Sequence, residues 1–321
     1  MFSFPDLTQF ATTYPTLSGT RLGLAHRIAQ QSHNEVAFFN QQLNQHKLAP
    51  EQWAIELTPQ STLAWLHHIA KPEKKQHYQL ENSLTLAANC LSVALELSYL
   101  TACANENKIA KSRLQKDQTS LTQWFADAEQ ADENSITLAL DTALLLYFHQ
   151  VSQVMFGHAA LAETTLVERR ALITDADFNA GTMFCLWLDY HQDKSRIPAN
   201  DADALQRLVN AAYLLSVIDK SQANNKNSLH FASNRVSCFV SGAIAGLHDI
   251  GKGEQFSANE DALQEQTAEL SQWIEAALLD SSLSDYVGKE AEVEADEQKL
   301  QGETATSRAE LKAGKLQGLA F

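Results

Sequence analysis

One stretch of this chain leaves little choice of structure. Between positions 136 and 151, Ile136, Ala139, Leu140, Ala143, Leu144, Tyr147 and Val151 recur at the spacing that places them on one face of a helix. Leu138, Leu145 and Leu146 widen the apolar surface past one face. The segment is therefore predicted as a central helix packed on several sides. It is not a membrane span. Asp141, His149, Gln150 and Gln153 interrupt it, and no other stretch offers the roughly 18 unbroken apolar residues that a span needs.

The same period runs through much of the chain. Leu84, Ala87, Ala88, Leu91, Ala94 and Leu95 make a second stripe, and Leu205, Leu208, Val209, Ala212 and Leu215 a third. Helices are also predicted over 22–43, 61–70, 178–192 and 263–279, the third opened by Thr174-Asp-Ala-Asp177. The 321 residues include 12 Gly and 6 Pro, too few for a turn-rich sheet protein. Together these features predict an all-α fold, a single compact multi-helix domain. Residues 1–20, rich in Thr, Pro and Ser, are predicted as an irregular N-terminus, 21–287 as the globular domain, and 288–321 as a polar, flexible C-terminal tail.

Charge and cysteine use narrow the function classes. A net charge of −15 argues against nucleic-acid or anionic-membrane partners. The first residues carry no basic region followed by an apolar run, so a cytoplasmic protein is expected. Cys90, Cys103, Cys185 and Cys238 form no CxxC pair and sit among apolar residues, which predicts buried, reduced thiols. The chain has no Gly-rich phosphate loop, no Gly-x-Ser-x-Gly elbow and no His-Glu-x-x-His.

The residues with chemical promise lie between Ser233 and Lys252. His248-Asp249-Ile250-Gly251-Lys252 resembles the metal signature of HD-domain phosphohydrolases, which implies a metal held by His248, Asp249 and an earlier histidine. His230 and His191 are the candidates. His230 stands 18 residues upstream with no proline between. In one continuous helix the two histidines would lie ~27 Å apart and could not share an ion. The plainer reading is that His248-Asp249 ends a helix, with Gly251 as its terminal glycine and Lys252 near the negative end of the dipole.

The middle of the stretch, Ser241-Gly242-Ala243-Ile244-Ala245-Gly246, has a glycine every fourth residue. Such spacing lets a neighbouring backbone approach one helix face closely. It resembles the late glycine-spaced helix of ADP-ribosylglycohydrolases. Asp132-Glu-Asn-Ser135 is similar to the family's early acidic block, and Ala171-Leu-Ile-Thr-Asp-Ala-Asp177 to its middle segment. Residues 140–151, 180–197 and 236–250 resemble a divergent cyanobacterial branch of the family. The resemblance implies an ADP-ribosylglycohydrolase-type fold, with relic-site positions at Asp132, Glu133, Asp175, Asp177, Ser233 and Arg235. The family's late metal-binding aspartates are replaced here by Ser233 and Arg235. A guanidinium cannot ligate a cation. Arg235 is then expected to pair with Asp132 or Glu133 and close the old site by a charge-assisted bond.

The expected function is therefore a non-catalytic relative of these hydrolases, needing no cofactor, that binds a protein partner or an ADP-ribosyl-like ligand. Two alternatives remain open at this point. One is an active, Mg2+-dependent ADP-ribosyl hydrolase using Asp132, Glu133, Asp175 and Asp177. The other is an HD-type phosphohydrolase centred on His248-Asp249.

Overall fold

The computed structural model describes residues 6–13, scattered positions from 19 to 38, the backbone of three strands between 52 and 87, and residues 133–158, 161, 163–190, 201–223, 225–251, 268 and 287–317. Helix dominates where side chains are described, in keeping with a helical fold class. The elements used below are α1 (Leu7–Thr13), α2 (Glu133–Met155), α3 (Leu166–Tyr190), α4 (Asp201–Gln222), α5 (Ala232–Asp249), α6 (Glu290–Lys299) and α7 (Ala305–Ala313).

Helices α2 to α5 form the body. Helix α3 packs against α2 and α5, and α4 packs against the same two. The four therefore close a ring, with α2 diagonal to α5. Helix α2 is the apolar segment on which the sequence turns. Leu140, Leu144, Leu145, Tyr147, Phe148 and Val151 are all buried, so the helix is covered well beyond one face. Its Phe148 meets Phe184 and Trp187 of α3, with ring centroids 6.4 and 6.5 Å away. Such aromatic contacts add direction to area burial.

The contact between α3 and α5 is the closest in the body, and glycines make it possible. A Cβ on Gly242 would strike the backbone carbonyl of Phe178, and one on Gly181 would strike that of Phe239. Gly246 faces Thr182, whose Cγ2 would lie 2.9 Å from an added Cβ. Thr182 Oγ1 then donates to the Gly242 carbonyl at 2.7 Å, a bond that only a near-touching pair of backbones permits. Helix α5 ends at Asp249, and Gly251 takes φ +76°, a left-handed conformation that suits glycine just past a helix end.

Several boundaries differ from the sequence expectation. Helix α3 opens at Leu166, not at 178. Thr165 and Glu168 cap it reciprocally, with Glu168 N donating to Thr165 Oγ1 at 3.2 Å and Thr165 N to Glu168 Oε2 at 2.8 Å. Asp175 and Asp177 consequently lie inside the helix and cap nothing. Leu7–Thr13 is helical within the stretch predicted as irregular, because the Asp6 carboxylate accepts from Gln9 N at 2.9 Å and caps its first turn.

Strands replace the helix predicted over 61–70 and the start of the one over 84–95. β1 (Gln52–Thr58), β2 (Trp65–Pro72) and β3 (Tyr78–Ala87) form a sheet of order β1-β3-β2. β1 runs parallel to β3, and β2 antiparallel to it. From Gln79 to Leu86, leucines and polar residues nearly alternate, a period of two that outweighs the sparse helical stripe. The helices predicted over 22–43 and 263–279 fall largely outside the described residues. No helix among the described residues is long and apolar enough to cross a membrane.

The C-terminal segment also differs. Predicted as a tail, 290–313 is instead one nearly continuous helical run docked on α3 and α5: α6, a π turn at Leu300–Thr304, then α7. Its sequence carries no broad apolar stripe because polar groups make much of the contact.

Candidate functional site

At the middle of the helical ring stands a buried charge cluster. Arg235, in the first turns of α5, is 0% exposed. Its guanidinium grips Asp177 of α3 with both arms of the fork, Nε to Oδ2 at 2.8 Å and Nη2 to Oδ1 at 2.7 Å. Nη1 reaches Asp219 of α4 at 3.0 Å. His149 of α2 places Nε2 3.2 Å from Asp177 Oδ1, at charge-contact distance but off the line of a hydrogen bond. One residue from each body helix therefore meets in this cluster.

Electrostatics favour the charged forms of Asp177 and Arg235. Burial alone pushes the Asp177 carboxyl up, but the Arg235 guanidinium outweighs it and holds the group below the ordinary carboxylate value, with His149 acting in the same direction. Burial disfavours the Arg235 charge, yet Asp177 and then Asp219 raise its pKa above the ordinary arginine value. The cluster is an internal salt, with planar guanidinium matched to planar carboxylate. A second fork of this kind joins Asp141 of α2 to Arg207 of α4, at 2.6 and 2.8 Å.

Asp175 faces elsewhere. Residues two apart on a helix differ by about 200° of rotation, so Asp175 and Asp177 project from opposite sides of α3. Asp175 lies under the C-terminal helix. Lys312 Nζ is 2.6 Å and Arg308 Nε 3.7 Å from Oδ1, and His158 Nε2 is 3.2 Å from Oδ2. Burial raises its pKa, but His158 and Lys312 prevail and lower it.

The remaining candidates disperse. His230 is buried just ahead of α5, its Nδ1 3.0 Å from Asp296 Oδ1 and its Nε2 3.2 Å from Thr304 Oγ1. His248 and Asp249 are exposed at the far end of the same helix. The HD-type set His230, His248 and Asp249 is thus not assembled, for the reason of helix length given above. Ser233 is half-buried, and its Oγ has no hydrogen-bond partner among the described residues. Glu133 opens α2, while its side chain, Asp132 and His191 lie outside the described residues. The expected pairing of Arg235 with Asp132 or Glu133 falls on side chains outside the described residues; among those described, Nε, Nη1 and Nη2 go to Asp177 and Asp219. Gly242 and Gly246 belong to the α3–α5 contact.

The described acids do not suit a magnesium ion. Such an ion needs several convergent free oxygens. Asp175 and Asp177 diverge, and each is already held by cations. Sequence reading missed His149, Asp219 and Asp296 as partners. The one signal available was that ionisable residues inside apolar helices must find a counter-charge.

Cys238 borders the cluster, and burial pushes its thiol up to about 12, which disfavours the thiolate. Against protein-family models, curated proteins and solved structures alike, the chain matches nothing.

Proposed function

We propose that this protein is a non-catalytic helical scaffold of ADP-ribosylglycohydrolase type, which binds a protein partner or an ADP-ribosyl-like ligand without hydrolysing it. One observation carries the reading. Arg235 occupies a position where the resemblance puts a metal-binding aspartate, and its fork consumes Asp177, a second acid of the relic set. A guanidinium in that place substitutes a permanent internal cation for a dissociable one. The close, glycine-lined contact of α3 with α5 supports the fold-type part of the proposal.

An active hydrolase using Asp132, Glu133, Asp175 and Asp177 needs these acids on one side of a cleft. The divergence of Asp175 from Asp177 weighs against it. An HD-type phosphohydrolase needs His230 beside His248, and they sit at opposite ends of α5.

The test is an assay of ADP-ribosyl and phosphoester hydrolysis by the purified protein with millimolar Mg2+ or Mn2+. The expected result is no turnover above a protein-free control. Turnover abolished by Asp177→Ala or Asp249→Ala, with the variant folded, would overturn the proposal.

A further inference from the structure

The C-terminal helical run has an anatomy unlike the body it covers. Most of residues 289–317 are exposed. Leu311 and Leu316 are its fully buried apolar residues among those described, set on Ala171 and Leu172 of α3 with Leu161 alongside. The rest of the attachment is polar. Glu303 receives Arg170 Nη1 at 3.0 Å, while Arg170 Nε donates to the Asn227 carbonyl at 2.7 Å. Lys312 and Arg308 meet Asp175, and Lys315 meets Glu168. Glu303, Arg308, Lys312 and Lys315 are all at least 40% exposed, so salt screens this part of the attachment.

The strongest grip is at Asp296. Its carboxylate accepts from Phe231 N at 2.7 Å and from Asn234 Nδ2 at 3.0 Å, besides contacting His230. Phe231 stands at the N-cap position just before helix α5 and supplies no side-chain cap of its own. Asp296 therefore caps α5 from another helix. The π turn adjusts the register for this grip. Asp296 and Thr304 are eight residues apart and would lie about 80° out of line on an uninterrupted α-helix. One extra residue in the turn brings both onto the same face, and His230 touches both.

We propose that residues 289–317 form a strap that releases as a unit while α2–α5 stay folded. Release uncovers Asp175 and His158 and uncaps the start of α5, one turn from Arg235. Few buried apolar contacts and many exposed backbone bonds are the marks of a segment that opens ahead of its body. Because the Phe231 amide bonds to the strap itself, its protection reports release directly.

Hydrogen exchange of the full chain, read by mass spectrometry, tests it. Peptides over 293–311 are expected to exchange at least about tenfold faster than those over 238–247. In Asp296→Asn, peptides over 293–311 and 229–235 should accelerate together while 238–247 does not. Should that variant fail to fold, wild-type protein at about 1 M against about 0.05 M NaCl gives the same comparison, with the strap accelerating in high salt. Strap peptides as protected as 238–247 would overturn the proposal. So would acceleration of 293–311 that leaves 229–235 unchanged in Asp296→Asn.

Discussion

Asp175 and Asp177 are two residues apart on α3, both are buried, and both are ionised against a raised cost of burial. They differ in what holds them. Asp177 is held by Arg235, His149 and, through Arg235, Asp219, all from the body. Asp175 is held by His158 and by two half-exposed cations of the C-terminal strap. The inner acid is fixed once four helices pack. The outer acid depends on a segment with little apolar contact. Burial alone thus says nothing of how firmly a charge is locked; the element that carries its partner decides.

The sharpest way to break this contrast is Arg235→Leu. It strands Asp177 inside the body, and the expected loss is about 3–5 kcal/mol in urea unfolding. Arg207→Leu should also destabilise, because it removes a two-armed guanidinium partner from the buried Asp141. Gly242→Ala attacks the same centre through geometry. An added methyl meets the Phe178 backbone, which cannot turn aside, so α3 and α5 must separate at about 1–3 kcal/mol. Gly246→Ala meets the end of the Thr182 side chain and should cost less. Measuring both by denaturant midpoint separates backbone contact from side-chain contact.

Acid should expose a further difference. The folded carboxyls of Asp175, Asp177 and Asp296 all titrate below their ordinary value, Asp296 at about 2. Below about 3.9 the unfolded chain binds protons that the folded protein refuses. Their stabilisation is therefore complete above that pH and lost as pH falls through the folded values. Urea midpoints taken from pH 5 to pH 2 should fall steadily, and Asp296→Asn should flatten the curve at its acid end. The smallest effect belongs to the strap. Lys312→Ala removes a half-exposed partner of Asp175 and should cost about 0–1 kcal/mol. A loss as large as that of Arg235→Leu would erase the distinction between the two acids.

The sequence made some of this legible. The run from Ile136 to Val151 marks a buried helix because apolar residues exceed one face, and no exposed helix tolerates that. A glycine every fourth residue is visible at Gly242 and Gly246. That Gly181 answers them from α3 is not, since nothing local records which helix will be the neighbour. The start of α3 was readable from Thr165-x-x-Glu168, but Thr174-Asp-Ala-Asp177 offered a competing cap, and the reciprocal pair prevailed. The partners of Arg235 were out of reach for a different reason. Asp177 lies 58 residues away and Asp219 lies 16, separations that only the assembled ring brings together. The strap was hidden because its contacts are polar, so its sequence looks solvated although Asp296, Thr304 and Ser307 are buried.

Asp175 and Asp177 are both neutralised by cations of the protein itself, which leaves neither free to hold a metal. Calorimetric titration of Mg2+ and Mn2+ into chelator-treated protein tests it most directly. No saturable binding up to millimolar metal is the predicted result, and Asp177→Ala should leave the trace unchanged. A stoichiometric site of micromolar affinity, lost in Asp177→Ala, would contradict the account and return the carboxylates to metal chemistry.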